Sequence, residues 1–175
     1  MVFSSRANGP GLRAVVWVQG CSLGCAGCFN PHTHSFRAGR VIQVPDLIDR
    51  LRDLPVQGLT LSGGEPLQQP RGVLALIAGL KAVTDFSMLL FTGFEWGEIQ
   101  ASPARRAVVE MCDLVVAGRF EAGQHQGRNL LGSSNQTVHF VTPRYRPSHL
   151  EQVPPAEVLI GPNGDIVLTG VNPPL

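Results

Sequence analysis

Short, almost continuously apolar runs, each ending in glycine and polar residues, constrain the fold of this chain most. The first, Leu12 to Gln19 (LRAVVWVQ), holds three valines and a tryptophan and runs straight into Gly20 and Cys21. A run apolar on both faces and rich in β-branched residues predicts a strand buried on both sides of a parallel sheet. Leu59 to Ser62, Phe86 to Phe91 and Asp113 to Ala117 repeat the pattern. Between them the period becomes helical. Val44, Leu47, Ile48, Leu51 and Leu54 recur at helical spacing, as do Val73, Leu74, Ile77 and Leu80 after Pro70. Ser102-Pro103 predicts an N-cap and first helical residue before Ala104 to Met111. Val138 to Val141 predicts a fifth strand. Val158 to Ile160 and Ile166 to Leu168, joined by Gly-Pro-Asn-Gly-Asp, predict a terminal hairpin.

Strand and helix therefore alternate, which predicts an α/β fold with a parallel sheet and right-handed crossovers. The 175 residues are too few for an eight-fold barrel of about 250, yet a domain of that order buries roughly 70% of its unfolded surface. The expectation is an open partial (β/α) barrel in a single domain over 1–175. Residues 1–11 form an N-terminal extension and 155–175 a C-terminal hairpin and tail. The first four predicted strands each end in unusual residues: the cysteines, Gly63-Gly64-Glu65-Pro66, Thr92-Gly93 and Ala117-Gly118-Arg119-Phe120. Ligands of parallel α/β sheets bind at that edge. Residues 21–40 and Gly118 to Gln136 read as loops that carry function.

Composition removes several classes of function. A hydrophobic fraction of 43% excludes a disordered chain. A net charge of +1 provides no basic stripe, so no nucleic-acid partner is expected. No apolar run reaches the roughly 18 residues of a membrane span, and the opening MVFSSRANGP lacks the apolar core of a signal peptide. The chain reads as soluble and cytoplasmic, with no membrane partner. Thirteen arginines against one lysine, Lys81, reflect genomic base composition.

Of the four cysteines, Cys21, Cys25 and Cys28 fall in a C-x-x-x-C-x-x-C cluster. In a reducing compartment such a cluster binds metal rather than forming disulfides. Three thiolates can hold one side of a 4Fe-4S cluster, which normally takes four, and leave one iron open. Zinc bound by the three cysteines plus His32 or His34 satisfies the same spacing. Cys112 has no partner spacing and reads as a small buried hydrophobe. Gly63 and Gly64 follow a strand, which is ordinary for a turn. They also let a ligand approach the backbone and present carbonyls to an ammonium group, and Glu65 adds negative charge beside them. An amino acid-like ligand on an open iron needs such an edge.

The segments GPGLR (Gly9 to Arg13), VVWVQGC, CSLGCAGCFNPHT, LSGGEPL, LLFTGF, DLVVAGRF and LLGSSNQ together resemble the radical S-adenosylmethionine (SAM) superfamily. Within it the chain is most similar to the activating enzymes of glycyl radical enzymes, in particular the small activators of anaerobic ribonucleotide reductase. The resemblance implies that Cys21, Cys25 and Cys28 hold a 4Fe-4S cluster. It implies that Gly63, Gly64 and Glu65 contact the methionine amine of SAM, with Thr92 and Gly93 lining the same site. Asn30 and Gly132 to Gln136 match motif positions to which no role is assigned. Two departures stand out: Gly27 occupies the usual aromatic position before the last cysteine, and AGRF stands where relatives have DGPF. Arg119 is then a candidate partner for the SAM carboxylate or a surface arginine. The implied activity is reductive cleavage of SAM to a 5′-deoxyadenosyl radical that installs a glycyl radical on a partner enzyme, with electrons from a flavodoxin or ferredoxin-type donor. The partner surface is expected around the cluster loop and Gly118 to Gln136. The alternatives are a radical SAM enzyme acting on a small molecule, such as a modified-nucleoside precursor, and a non-enzymatic zinc or iron–sulfur module.

Overall fold

A strand with two apolar faces needs strands on both sides to satisfy its backbone and other layers to cover it. That demand organises the chain, of which a computed structural model describes residues 1–172. The elements in order are β1 (Val2–Ser5), β2 (Arg13–Val18), α1 (Val44–Leu51), β3 (Gly58–Gly63), α2 (Pro70–Val83), β4 (Ser87–Thr92), α3 (Trp96–Gln100), α4 (Pro103–Val109), β5 (Leu114–Ala117), β6 (His125–Arg128), β7 (Leu131–Ser133), β8 (Thr137–Phe140), α5 (Pro147–Leu150), β9 (Ala156–Ile160) and β10 (Ile166–Gly170).

The central sheet has the order β1-β2-β3-β4-β5-β8. Strands β2 to β5 are parallel, as the apolar runs predicted. The side chains of β4 and β5 alternate between faces, with period 2. Met88, Leu90, Val115 and Ala117 join the core under the helices, where Leu51, Ile77, Leu80, Val108 and Val109 cover them. Leu89, Leu114 and Val116 point to the other face, against Leu130 and Leu150. Cys112 lies in the first of these cores, fully buried.

Several expectations change. The extension 1–11 contains β1, which pairs antiparallel with β2 and caps one sheet edge. The fifth predicted strand, β8, runs antiparallel to β5. The loop Gly118 to Gln136 holds a small antiparallel hairpin, β6–β7, and the short α3 is a helix that the apolar pattern does not predict. Ser102 occupies the predicted N-cap position of α4, but its side chain makes no capping hydrogen bond. The terminal hairpin forms as β9–β10, with Ile166 opposite Ile160 and Leu168 opposite Val158. The end of the predicted tail, 173–175, lies outside the described residues. Among the described residues no helix is long and apolar enough to cross a membrane.

At the end of the sheet away from the strand C-termini, Arg13 is completely buried. Its Nε donates to Thr60 Oγ1 (2.7 Å), and Nη1 donates to Ser87 Oγ (2.7 Å), Pro10 O (3.2 Å) and Tyr145 OH (3.2 Å). Its Nη2 donates to Leu59 O (2.7 Å) and Ser87 O (2.9 Å). A side chain of a type that mostly stays exposed therefore ties the N-terminal segment, β3, β4 and the segment before α5 together.

Candidate functional site

Parallel strands bring their C-terminal ends to one edge, and here that edge opens into a cavity of about 680 Å³. The size is ordinary for a small-molecule site. Its walls include Cys21, Cys25, Cys28, Asn30, Gly63, Gly64, Glu65, Thr92 and Gly93, so all the predicted ligand residues meet in one space. His32 and His34 line it as well.

The cysteine loop owes its position to glutamines rather than to regular structure. Gln19 Nε2 donates to the carbonyls of His32 (3.2 Å) and Ser35 (2.8 Å). Gln68 brackets Ser22, accepting from its N–H (3.1 Å) and donating to its hydroxyl (2.7 Å). Gln69 Nε2 donates to Gln19 O at 2.7 Å. Backbone bonds from Gly20 N to Thr33 O (2.8 Å) and Cys21 N to His34 O (3.0 Å) close the loop. Loop glutamines carry no chemical signature, which is why sequence reasoning missed them.

Cys21, Cys25 and Cys28 are half-buried free thiols. Burial pushes the Cys21 and Cys28 thiols up, partly opposed by backbone N–H groups of Leu23 and Asn30 respectively. The Asn30 N–H lies 3.4 Å from Cys28 Sγ. A bound metal centre takes the thiolate form and releases those protons. Among the described residues, no three His, Cys, Asp or Glu side chains converge on a point that a single ion could fill. A cuboidal cluster is wider than one ion, and three soft thiols facing one cavity, with N–H groups directed at sulfur, suit it.

Gly63 and Gly64 are required by the backbone of β2. Gly63 has φ +103°, and a Cβ there would meet Val18 N at 2.6 Å; a Cβ on Gly64 would collide with Gly20 O. The predicted close approach is thus made first by the protein itself, through Gly64 N to Val18 O (2.8 Å) and Glu65 N to Gly20 O (2.9 Å). Glu65 is 1% exposed. Its Oε1 accepts from Leu67 N and Thr92 Oγ1, and its Oε2 from Gly93 N, all at 2.8 Å. Burial raises its pKa, and these three donors oppose the shift. The single donor on Oε2 leaves acceptor capacity toward the cavity. Leu23 of the cysteine loop sits over Gly93, where a Cβ would meet Leu23 Cδ1 at 2.5 Å. Cysteine loop, Glu65 and the end of β4 are one packed unit.

The Gly132 to Gln136 stretch acts as a loop clasp. Gln136 Oε1 accepts from Gly132 N (2.9 Å) and Ser133 N (3.2 Å), and Nε2 donates to Gly118 O (2.9 Å). Asn135 Nδ2 donates to Arg119 O at 2.8 Å. Phe29, beside the last cysteine, packs on Phe120 with ring centroids 4.3 Å apart, joining the cysteine loop to this segment. Arg119 is not a wall residue of the cavity. It forms a two-pronged pair with Glu98, at 2.7 and 2.9 Å.

The Arg119 guanidinium holds the Glu98 carboxyl down at about 2. A lowered folded pKa stabilises above the unfolded value, and that stabilisation is lost as pH falls toward 2. Both side chains are more than a third exposed, so solvent screening limits the pair to about 1 kcal/mol or less. Arg119→Ala should therefore cost little at pH 7 by denaturant unfolding, and the difference should vanish as pH falls from about 4 toward 2. Cys112 is the opposite case: burial pushes its thiol up to about 12. Iodoacetamide at pH 8 should label Cys21, Cys25 and Cys28 in metal-free protein and spare Cys112 until the chain unfolds, read by peptide mass spectrometry.

A family model described as "4Fe-4S single cluster domain" matches residues 7–139. Three curated proteins named "Anaerobic ribonucleoside-triphosphate reductase-activating protein" are similar to this chain. That of Pasteurella multocida is 32% identical over 145 residues, covering 77% of this chain and 91% of that protein. That of Vibrio cholerae is 35% identical over 144 residues, covering 77% and 92%. That of Escherichia coli K12 is 33% identical over 141 residues, covering 75% and 90%.

Proposed function

We propose, because this chain belongs to the family of anaerobic ribonucleoside-triphosphate reductase-activating proteins, that it is a radical SAM activase which installs a glycyl radical on a partner reductase. The observation that carries the reading is the meeting of Cys21, Cys25 and Cys28 with the Gly63 to Glu65 edge in one cavity. The three thiols would hold the 4Fe-4S cluster. When bound and reduced by the donor, it would supply the one electron that splits SAM into methionine and a 5′-deoxyadenosyl radical, which would take a hydrogen atom from a glycine Cα to leave 5′-deoxyadenosine and the glycyl radical.

The protein's own residues bind and orient. Carbonyls at the end of β3 and the free capacity of Glu65 Oε2 would accept the SAM amine. Thr92 and Gly93 set the direction of that carboxylate through their hydrogen bonds. Asn30 places its N–H on Cys28 and receives the backbone N–H of Thr33 at 2.9 Å, which shapes the loop's exit. The parallel strands β2 to β5 support an open partial barrel in a single domain; the donor in this reading is a flavodoxin or ferredoxin-type protein, and the setting is cytoplasmic.

Glu65 gives the test. Glu65→Gln keeps one acceptor oxygen, enough for Leu67 N and Thr92 Oγ1, but puts an amide NH2 opposite Gly93 N and removes the charge. SAM affinity should fall at least about tenfold, the range of a charge-assisted hydrogen bond, while iron content stays at the wild-type level. Glu65→Ala should add a loss of thermal stability, because three buried donors lose their acceptor. Unchanged SAM affinity in both variants would remove Glu65 from the ligand site.

A further inference from the structure

Among the described residues, β9 and β10 pair only with each other, in a sheet of their own. Their anchoring to the domain uses alternate positions. The Glu157 carboxylate accepts from Ser5 Oγ (2.6 Å) and Arg6 N (3.0 Å), and its cross-strand neighbour Thr169 accepts from Asn8 Nδ2 (2.8 Å). Successive residues of a strand face opposite ways. The next pairs, Val158 with Leu168 and Ile160 with Ile166, therefore share the other face, on which Ile166 and Leu168 also line the cavity that holds the cysteines. The exposures of these four, in that order, are 50, 46, 74 and 65%, and Val167 across the hairpin is 39% exposed as well. A monomeric domain has no reason to order four aliphatic side chains in register toward water, and such a patch marks a contact surface.

Its place suggests what contacts it. The strand Ile166 to Gly170 is also a wall of the cavity that holds the three cysteines and Glu65. The patch is thus the outer lip of the reaction space. We propose that this face of the β9–β10 hairpin docks the partner reductase, through an uncharged, apolar, extended segment that leads its target glycine into the cavity. The proposal rests on the activase reading and names the contact surface that reading requires, distinct from the one expected around the cluster loop.

Two observations favour this occupant. Four partly exposed aliphatic side chains supply a small fraction of the about 800 Å² per partner of a standard stable interface, which suits a transient substrate contact better than a second copy of the chain. The nearest charged groups of the hairpin, Glu157 and Asp165, are acidic, so anionic lipid is repelled. An apolar partner segment meets neither objection, and its reactive residue needs only to pass the lip.

The test uses Val158→Asp and Ile160→Asp, whose side chains are not cavity walls, with Val83→Asp as control. Val83 is 57% exposed and ends α2 at the opposite edge of the sheet. The probe is the anaerobic ribonucleoside-triphosphate reductase of the same organism. All three variants should keep full iron and form 5′-deoxyadenosine from SAM and reductant at the wild-type rate without reductase. The two hairpin variants should bind immobilised reductase at least about tenfold more weakly and leave correspondingly less glycyl radical by electron paramagnetic resonance. The control should match wild type in both. Wild-type binding and radical yield in the hairpin variants overturn the proposal. So does dissociation of a dimer by the hairpin variants, seen by light scattering, with reductase binding unchanged: the occupant is then a second copy. If wild type itself cleaves SAM but neither binds nor radicalises the reductase, the activase reading has failed and the docking proposal falls with it.

Discussion

Replacing any one of Cys21, Cys25 and Cys28 by Ala should take iron from about four per chain to near zero in protein reconstituted without oxygen. The three thiols sit on one short loop and face one cavity. The remaining described cysteine cannot substitute, because Cys112 is wholly buried in the core and its Sγ is engaged with Val108 O at 3.4 Å. Two thiolates leave two corners of a cluster to water, and each coordinated thiolate is what keeps such a cluster from dissociating. Cys112→Ala should retain full iron, with a stability cost of about 1–2 kcal/mol from the small cavity it leaves. Iron analysis with the visible spectrum near the thiolate charge-transfer band decides the matter. Full iron in any single ligand variant, or iron loss in Cys112→Ala, would refute the ligand assignment. One zinc per chain and no iron would refute the cluster.

Arg13→Met is expected to have the largest effect on stability. Arg13 makes six hydrogen bonds from a fully buried position. Burial lowers its pKa, while Tyr145 and Asp113 support the charged form. A methionine fills most of the space but donates nothing. The carbonyls of Leu59, Ser87 and Pro10 lose their guanidinium donors inside the protein, each stranded group costing about 1–3 kcal/mol. A total near 4 kcal/mol or more is a large part of the 5–15 kcal/mol that holds a typical domain. Arg13→Lys should rescue only part of this, since a single ammonium cannot span the fork that reaches Thr60 on one side and Ser87 on the other. Gly58 leaves room for this arrangement; a Cβ there would collide with Ser87. A Met variant within about 1 kcal/mol of wild type in urea unfolding would show the network to be dispensable.

The strands β2 to β5 and the terminal hairpin were legible because their apolar runs are long and bounded by glycine and polar residues. The helices α1 and α2 were legible from period alone. The direction of β8 was also written in the sequence: Gly118 to Gln136 contains no helical stretch, and a parallel return needs a crossover of the kind a helix supplies. Strand β1 (VFSS) and helix α3 (WGEIQ) are too short to show a period. The ligand residues could be picked out because cysteine and the Gly-Gly-Glu turn are rare chemistry. Their supports Gln19, Gln68 and Gln69 could not, since a glutamine at a clasp and one in solvent look the same in a sequence; Gln136 stood out only as a motif position without a role. Arg13 was hidden by the general rule that arginine stays outside.

The glutamine scaffold around the cysteine loop bears on the protein's encounter with oxygen. None of the bonds from Gln19, Gln68 or Gln69 passes through a thiol, so destroying the cluster leaves the loop's frame intact. Small zinc domains behave differently, because their metal-binding energy is their folding energy. Here the fold rests on the six-stranded sheet and its two cores, and metal loss is an event at its rim. A chain bleached in air should keep its cooperative melting transition and accept a new cluster with little of the conformational entropy of the cysteine loop still to be lost. For a protein whose cofactor is far more fragile than its backbone, oxygen damage then becomes a matter of reloading rather than resynthesis.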